Sequence, residues 1–413
     1  MFNHSRKSFR LTALLLMISL LLTGCALLPT AISGTVDGPV YSGNTVTIST
    51  EEYEQLLKYA ELEEMRQIVS EYYYQEPDEQ AMLDGAAMGL LYGLDDPYTF
   101  YYDVDAFTKM WEEDEGEYAG IGIQIQADYA TGLCTITRVF LDSPAMEVGI
   151  RRGDILTRVE DLDVNATNLQ DAVDIMRGEV GKAVNVQMMR GNELLDFTVT
   201  RAVVHTNWVN SCMLDDQIGY ISLYEFSGDC APTFSIQMDN LIHQGAKALV
   251  IDLRDNPGGW VDDAQKIADF FLPEGTLATL EYRDGTTEYY SLTTDGKEID
   301  IPLVVLINEF SASASEILSG ALQDYDRATI VGVQSYGKGV VQYVLPVGSR
   351  GAGMQLTIAQ YFTAKGNEVH KVGIAPDVIA EWPEDDQNMY QLGDLNDAQL
   401  RIAYEEALKL LGR

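Results

Sequence analysis

The chain has 413 residues, of which 46% are hydrophobic and 22% are charged, and its formal net charge at pH 7 is −37. This length and composition suffice for two hydrophobic cores, one of roughly 100 residues and one larger. So large an acidic excess argues against nucleic acid as a partner and opposes binding to anionic lipid headgroups, because like charges repel. We therefore expect a folded, multidomain protein that does not bind nucleic acid.

The amino terminus has the pattern of an export signal. Three basic residues precede the apolar run Leu11–Leu22, which is too short to span a membrane comfortably. The run ends in Leu22-Thr-Gly-Cys25, which resembles a bacterial lipoprotein signal in which the cysteine is lipidated and becomes the first residue. We expect residues 1–24 to be a signal peptide, Cys25 to be the lipidation site and residues 25–50 to be a linker. An uncleaved anchor is the alternative, and in either case the rest of the chain is extracytoplasmic and tethered to a bacterial cell membrane.

Three cysteines follow Cys25, namely Cys134, Cys212 and Cys230. An odd number at wide spacing is neither a disulfide framework nor a metal site. We expect reduced structural cysteines, although a pair between Cys212 and Cys230 stays open.

Residues 51–114 are predicted to be helical, because apolar side chains recur there at helix-like spacing. Tyr72, Tyr73 and Tyr74, followed by Pro77, end the first helix. The later stretch Gly93-Leu-Asp-Asp-Pro-Tyr-Thr-Phe100 reads as a turn at the end of a second helix. We expect this region to pack on a larger core.

Residues 115–203 resemble a PDZ domain. The resemblance rests on the glycine-rich stretch Tyr118-Ala-Gly-Ile-Gly-Ile123 and on the later run from Ser143 to Leu156, which contains Gly-Asp-Ile-Leu. A glycine-rich turn is a weak signal alone, and the second run is the stronger one. The resemblance implies that Gly120, Ile121, Gly122 and Ile123 receive the terminal carboxylate of a peptide that adds as a strand.

Residues 204–382 alternate between strand-like and helix-like segments. Strands are predicted at Ile218–Leu223, near Ala248 and at Pro302–Ile307, with helices between them. Such alternation is typical of a layered α/β core. Residues 383–413 are predicted to be an acidic stretch and a short helix.

Three residues in two motifs indicate a catalytic site. Ser313 lies in the stretch Asn308-Glu-Phe-Ser-Ala-Ser-Ala-Ser-Glu316, and Lys338 and Gln342 lie in the stretch Ser335-Tyr-Gly-Lys-Gly-Val-Val-Gln342. A serine hydroxyl needs a partner to take its proton, and a lysine does this only when burial lowers its pKa. We interpret the three residues as nucleophile, base and an amide that orients the base. None of His205, His243 and His370 lies in a recognised triad motif, so a Ser-His-Asp site stays open but unsupported.

Each motif also has a plain structural interpretation. The run Ser311–Ser315 is typical of a tight turn or helix cap, Lys338 between glycines is typical of a hairpin tip, and Asn256-Pro-Gly-Gly259 is a turn signal. Predicted strands precede the first and third of these motifs, and active-site loops of α/β sheets lie where strands end.

The motifs resemble those of the carboxyl-terminal processing, or tail-specific, peptidases, which use a Ser-Lys dyad. The middle serine of the family's Ser-Ala-Ser-Ala-Ser-Glu corresponds to Ser313, the lysine of Gly-Lys-Gly to Lys338, and the glutamine four residues later to Gln342. A third family motif appears as Leu253-Arg-Asp-Asn-Pro-Gly-Gly259. The resemblance covers most of the chain after residue 70 and implies a crotonase-like or ClpP-like variant of the α/β core.

The resemblance also implies an oxyanion hole made from the Gly258-Gly259 turn and the amide of Ala314. This fits a helix start after Ser313, where free N–H groups face a developing anion. Glu316 matches the motif as well, with a structural or a chemical role. The chain departs from the family at Tyr361-Phe-Thr-Ala-Lys-Gly366, where many members have Pro-Ser; the change touches a hairpin and leaves the dyad assignment intact.

We therefore expect an exported serine endopeptidase that recognises protein carboxyl termini through its PDZ domain and cleaves near them. Its partners would be protein or peptide substrates and, through the lipid anchor, a membrane; no metal or cofactor is implied, and the oligomeric state stays open. One alternative is a PDZ scaffold with a degenerate, inactive protease core. Another is an esterase, although the Gly-x-Ser-x-Gly motif is missing at Ser313.

Overall fold

The computed structural model describes residues 40–42, 45–114, 116–128, 131–140, 142–293, 296, 298–381 and 392–412. Cys25 and the predicted signal peptide lie outside the described residues. The described residues divide into two compact units, one that ends at residue 82 and one that begins at residue 83. The helices are α1 (Thr50–Leu57), α2 (Ala60–Tyr72), α3 (Glu79–Tyr92), α4 (Val104–Asp114), α5 (Pro144–Val148), α6 (Leu169–Met176), α7 (Cys230–His243), α8 (Val261–Ala268), α9 (Ala314–Asp324) and α10 (Ala398–Leu410).

The first unit contains a short hairpin, β1 (Val40–Ser42) and β2 (Thr45–Thr47), followed by α1 and α2. Helix α1 begins with a capping box, in which Ser49 and Glu52 each accept a hydrogen bond from the other's amide. Neither helix buries a side chain, and apolar residues such as Leu56 and Ile68 are more than half exposed. The predicted helices are present, and the helical run is interrupted at Lys58 and Tyr59. Packing of residues 51–114 on a larger core stays a prediction.

The segment that resembles a PDZ domain forms a sheet of six strands with α5 and α6. Its strand order is β10-β9-β7-β6-β5, with β8 paired to β7. Alternate residues such as Ile136, Leu156 and Met188 point into a separate core and are fully buried. Strands β4 and β11 pair with each other at the two ends of this segment. The strands are β4 (Glu117–Gly120), β5 (Ile123–Ala127), β6 (Cys134–Val139), β7 (Ile155–Val159), β8 (Leu162–Asp163), β9 (Ala183–Arg190), β10 (Glu193–Thr200) and β11 (Ala202–His205).

The larger core is built on a sheet with the order β12-β13-β14-β17-β18-β21, parallel except for the edge strand β12. The central strands β14 and β17 are buried at every position, as expected of a parallel sheet covered on both faces. The α/β prediction is confirmed. The strands are β12 (Val209–Met213), β13 (Ile218–Leu223), β14 (Ala248–Asp252), β17 (Leu303–Ile307), β18 (Thr329–Gly332) and β21 (Val378–Ile379).

Helices cover the two faces of this parallel sheet. Helices α7, α8 and α9 contribute buried residues to the main hydrophobic core on one face, among them Phe234, Ile267 and Leu318. On the other face, Leu400 and Ala403 of helix α10 pack in a smaller core with alternate strand residues. Helix α10 is capped by Asp397, whose Oδ1 accepts from the amides of Gln399 and Leu400.

A second, antiparallel sheet with the order β16-β15-β20-β19 adjoins the main core, and β3 pairs with β20. This sheet was not predicted from the sequence. It contains β3 (Phe100–Tyr102), β15 (Gly275–Tyr282), β16 (Thr287–Leu292), β19 (Val340–Val347) and β20 (Ala352–Thr363).

Cys134, Cys212 and Cys230 are free thiols, as expected. Burial raises the pKa of each of them, in the case of Cys230 to about 12 with a further contribution from Asp263. Within the part of the chain that the structure describes, no helix combines the length and apolarity needed to cross a membrane.

Candidate active site

Ser313 lies immediately before helix α9, after the loop that follows strand β17. Its backbone has φ 55° and ψ −115°, a region that residues other than glycine rarely adopt. The surrounding structure holds this conformation: the hydroxyl of Tyr361 donates to the carbonyl of Ser313 (3.2 Å), and the hydroxyl of Ser311 donates to the carbonyl of Leu253 (2.7 Å). Strained backbone that is held in this way concentrates at functional sites.

The turn at Gly258 and Gly259 contacts the candidate nucleophile. A Cβ atom on Gly258 would lie 2.7 Å from Cβ of Ser313 and 2.9 Å from the amide nitrogen of Ala314. Both glycines have positive φ angles, 107° and 127°, so the sequence needs glycine here for conformation and for close approach.

The two glycines differ in what their amides can do. The amide of Gly258 donates a 2.9 Å hydrogen bond to Oδ1 of Asn256, so it is not open to a substrate. Among the described residues, the amides of Gly259 and Ala314 have no hydrogen-bond partner. The expectation that Gly258 donates to an oxyanion is therefore corrected: its amide is occupied by an Asn side chain, and Gly258 provides close approach.

Glu316 joins the loop of Ser313 to the loop of Lys338. Its carboxylate is fully buried and accepts from the amides of Ser313 (2.9 Å), Gly337 (2.6 Å) and Lys338 (2.9 Å), and from the hydroxyl of Ser335 (2.6 Å). Burial raises the pKa of Glu316, and these hydrogen bonds oppose the rise. With both oxygens occupied by donors, Glu316 has a positioning role rather than a chemical one.

Lys338 has the environment that a neutral lysine needs. Burial lowers its pKa, and the carboxylates of Glu316 and Asp96 only partly offset this effect. Its Nζ lies 5.0 Å from the centre of the Tyr98 ring. Within the described residues, Nζ makes no hydrogen bond or ion pair. The lysine is therefore partly buried, and no counter-ion among the described residues holds its amine.

The segment from Asp96 to Thr99, read from the sequence as a plain turn, lies beside the lysine. Oδ2 of Asp96 accepts from the hydroxyl of Thr99 (2.6 Å), and Oγ1 of Thr99 accepts from the amide of Thr357 (3.0 Å). Burial alone would raise the pKa of Asp96, but hydrogen bonds and the charge of Lys338 hold it below its usual value. Sequence reasoning missed these residues; the Asp-Pro-Tyr-Thr stretch was the one available signal.

Gln342 is the third residue of the predicted catalytic set. It follows a β-bulge between Val341 and Gln342, and its Nε2 donates to Oγ1 of Thr357 (3.3 Å). A bulge redirects a side chain relative to its neighbours on the strand. The amide of Gln342 is thus linked through Thr357 to the segment that carries Tyr98.

One cavity of about 560 Å³ brings together Ser313, Lys338, Gln342 and Gly259. Strands of the antiparallel sheet line it, including residues Tyr282 and Val340, together with loops that follow strands of the parallel sheet. None of the described residues that line it is a histidine.

A second cavity of about 330 Å³ contains all four residues predicted to bind a carboxylate, Gly120 to Ile123. It lies between strand β5, which is an edge strand of its sheet, and helix α6 with Val173 and Arg177. An open strand edge beside an apolar groove suits the addition of a peptide strand. Trp208 and Glu225 line both this cavity and the one at Ser313, so the two cavities adjoin.

Comparison with family models gives three matches. Residues 217–380 match peptidase family S41, residues 135–188 match a PDZ domain, and residues 38–106 match the activating protease CtpB N-terminal domain.

Curated relatives and solved structures agree with these matches. The chain is 32% identical over 356 residues to a carboxy-terminal-processing protease of Bartonella bacilliformis, covering 83% of this chain and 80% of that protein. It is 36% identical over 302 residues to a carboxyl-terminal-processing protease of Synechocystis, covering 71% and 70%. Among solved structures, a photosystem II D1 C-terminal processing protease is similar, with a TM-score of 0.62, 26% identity and coverage of 87% of this chain and 99% of that one.

Proposed function

Because the chain belongs to peptidase family S41, with carboxy-terminal-processing proteases as its relatives, we propose that it hydrolyses peptide bonds near the carboxyl termini of proteins, with Ser313 as nucleophile and Lys338 as base. The observation that carries the proposal is the shared cavity of Ser313 and Lys338, in which burial lowers the pKa of the lysine. A neutral amine there accepts the proton of the serine hydroxyl as the hydroxyl attacks a carbonyl.

The amides of Gly259 and Ala314 receive the oxyanion of the tetrahedral intermediate. Gly259 lines the cavity of Ser313, Ala314 directly follows Ser313, and neither amide has a competing partner among the described residues. Each such donor is typically worth about 3 to 4 kcal/mol in the transition state. The protonated Lys338 then donates to the leaving amine, an acyl-enzyme remains on Ser313, and water hydrolyses it with Lys338 again as base. Gln342 lines the same cavity, and its Nε2 donates to Thr357 rather than contacting the amine.

The PDZ domain supplies recognition of the substrate's end. The amides of the segment Gly120–Ile123 bind the terminal carboxylate, and the last residues of the substrate pair with the open edge of β5. The adjoining cavity then receives the scissile bond, which supports cleavage near the bound end.

Export and anchoring complete the proposal. Residues 1–24 direct the chain out of the cytoplasm, and lipidation of Cys25 holds it at a bacterial membrane. With a net charge of −37, the protein surface does not supply this attachment, so the acyl chains must.

A pair of synthetic peptides tests recognition. One peptide ends in a free carboxylate, and the other has the same sequence with an amidated end; cleavage of both by the purified protein is followed by mass spectrometry. Faster cleavage of the free acid, with cuts clustered near its end, is expected. Equal cleavage of both peptides would contradict recognition of the carboxylate.

A further inference from the structure

We propose that Asp114 is a positioning residue that fixes the Gly258-Gly259 turn, and with it the open amide of Gly259, through the side chain of Trp260. The inference rests on the proposed peptidase function of Ser313. It adds a residue outside every motif of the site, at the point where the chain enters the PDZ domain.

Three donors meet on one oxygen of Asp114. Its Oδ1 accepts from Nε1 of Trp260 (2.8 Å), from the hydroxyl of Ser227 (2.6 Å) and from the amide of Gly228 (3.2 Å). These donors come from two different loops, one after strand β13 and one after strand β14. A carboxylate is the strongest acceptor that a protein offers to neutral N–H and O–H groups.

The two loops are also joined to each other beside the catalytic turn. The amide of Phe226 donates to the carbonyl of Gly258 (2.8 Å), and the amide of Trp260 donates to the carbonyl of Phe226 (2.7 Å). Gly259 lies between these two bonds. Asp114 therefore bonds to Ser227 and Gly228, which follow Phe226, and to Trp260, which follows Gly259. It thereby fixes the two segments whose hydrogen bonds lie on either side of the Gly259 amide.

Helix α4 presents a second contact on the same face. Trp111, three residues before Asp114, stacks on the ring of Trp260, with ring centres 5.8 Å apart and planes 11° from parallel. Residues at this spacing share a helix face. The stack and the hydrogen bond together fix the orientation of the indole of Trp260. The fixed indole in turn constrains the backbone of the Gly258-Gly259 turn, which directly precedes it.

Helix α4 belongs to a stretch of chain that contacts the candidate active site at two places. The segment before the helix carries Tyr98 beside Lys338, and the segment after it enters strand β4 at Glu117. Phe107, on the same helix, is pressed against Gly353 of β20, where a Cβ atom would collide with its ring. One stretch of chain thus contacts the base at one end, the oxyanion turn at the other, and then continues into the PDZ domain.

Four single variants, and the double variant Asp114→Ala/Trp260→Phe, test the proposal in the full-length protein. Asp114→Ala removes the acceptor, Asp114→Asn keeps an oxygen that can accept the same bonds, and Trp260→Phe removes one donor but keeps a ring. Asp105→Ala is the matched control, because Asp105 is an exposed carboxylate on the same helix. The readouts are kcat and KM on a peptide, the affinity for a peptide boronate that forms a tetrahedral adduct, and amide hydrogen exchange of residues 256–262.

We expect Asp114→Ala to lower kcat and boronate affinity by roughly 10- to 100-fold with little change in KM, because a misplaced oxyanion donor costs only transition-state binding. Asp114→Asn recovers most of the rate, and Asp105→Ala behaves as wild type. The double variant Asp114→Ala/Trp260→Phe is no slower than the slower of its two single variants, because both substitutions act through the same hydrogen bond. Amide hydrogen exchange of residues 256–262 is faster in Asp114→Ala than in the wild type.

Unchanged kcat and unchanged exchange of the turn in Asp114→Ala would overturn the proposal. A loss that falls entirely on KM would also overturn it. If Asp114→Ala fails to fold, Trp260→Phe decides by the same readouts. Failure of the proposed peptidase function can be distinguished from failure of this inference. In the first case the wild type would show no cleavage that depends on Ser313, but the exchange measurement would still decide whether Asp114 holds the turn.

Discussion

The backbone amides of Ser313 and Lys338 both donate to the same carboxylate oxygen, Oε2 of Glu316, over 2.9 Å each. The two residues are 25 positions apart in the sequence and belong to different loops, so this shared acceptor sets their spacing. Because Glu316 is fully buried, water does not compete for these bonds. The separation between the proposed nucleophile and the proposed base is thus built into the backbone rather than left to two flexible side chains.

Replacing Glu316 tests this arrangement. In Glu316→Gln one oxygen becomes an NH2 group that faces backbone donors, so two of the four bonds are lost and the loops separate. We expect kcat to fall by roughly 10- to 100-fold, because small displacements of catalytic groups have effects of that size. Glu309→Gln, an exposed carboxylate in the same loop, is the control. Wild-type kcat in Glu316→Gln would show that the shared acceptor does not matter.

The lowered pKa of Lys338 fixes the direction of the pH dependence. The amine must be neutral to accept a proton, so kcat should rise with pH and level off below pH 10.5, the ordinary value for a lysine. Lys338→Arg should be inactive, because a guanidinium stays charged. A rate that falls from neutral to mildly alkaline pH would contradict a lysine base.

Lys338 also makes stability depend on pH in a known direction. Its pKa is lower in the folded chain than in the unfolded chain, so the unfolded chain binds more protons between the two values. The free energy of unfolding should therefore rise with pH across that window. The same measurement on Lys338→Met, in which the contribution is absent, isolates the effect.

The ring of Tyr98 packs 5.0 Å from the amine of Lys338 and contributes to its partial burial. In Tyr98→Ala water reaches the amine, so the pKa of Lys338 should return toward its ordinary value and the rise of kcat should move to higher pH. Tyr98→Phe keeps the ring and should leave the profile close to that of wild type. A profile that does not move in Tyr98→Ala would count against shielding by the ring.

Gly259 tolerates no side chain for two reasons: its own φ is 127°, and a Cβ atom on it would collide with the carbonyl of Phe226. We expect Gly259→Ala to lower kcat by at least about 100-fold through displacement of the oxyanion amide. Gly181→Ala is the matched control: Gly181 also has a positive φ, 85°, but a Cβ there meets nothing within 4 Å. The control should lose about 1 kcal/mol of stability and no activity. Similar kcat values for the two variants would refute the role of the turn.

Much of this site is predictable from local sequence. Apolar runs predict β14 and β17, and small-residue motifs after such strands predict loops at Ser313 and Gly258. Local sequence does not predict which distant residue contacts each residue of the site. Asp114 and Tyr98 reach the site from a helix and a turn that lie far from the motifs, and the side chain of Asn256 decides that Gly259, not Gly258, has the open amide. Hydrogen bonds between distant segments follow from packing, which no spacing rule encodes.

The antiparallel sheet that carries Gln342 was missed for a related reason. Strands β19 and β20 are half-exposed and mix polar with apolar residues, so their pattern lacks the continuous apolar runs of the parallel sheet. Their register includes a bulge at Gln342, which sequence periodicity does not predict.

The most direct test of the central claim compares the three serines of the nucleophile loop in one cleavage assay. Ser311 and Ser315 are fully buried and donate to the carbonyls of Leu253 and Asn256, whereas Ser313 lines the cavity of Lys338. We predict that Ser313→Ala abolishes cleavage of a peptide with a free carboxyl terminus while the melting temperature is retained, and that Ser311→Ala and Ser315→Ala keep measurable activity. Full activity of Ser313→Ala, or loss of activity only in Ser311→Ala, would contradict the assignment of the nucleophile.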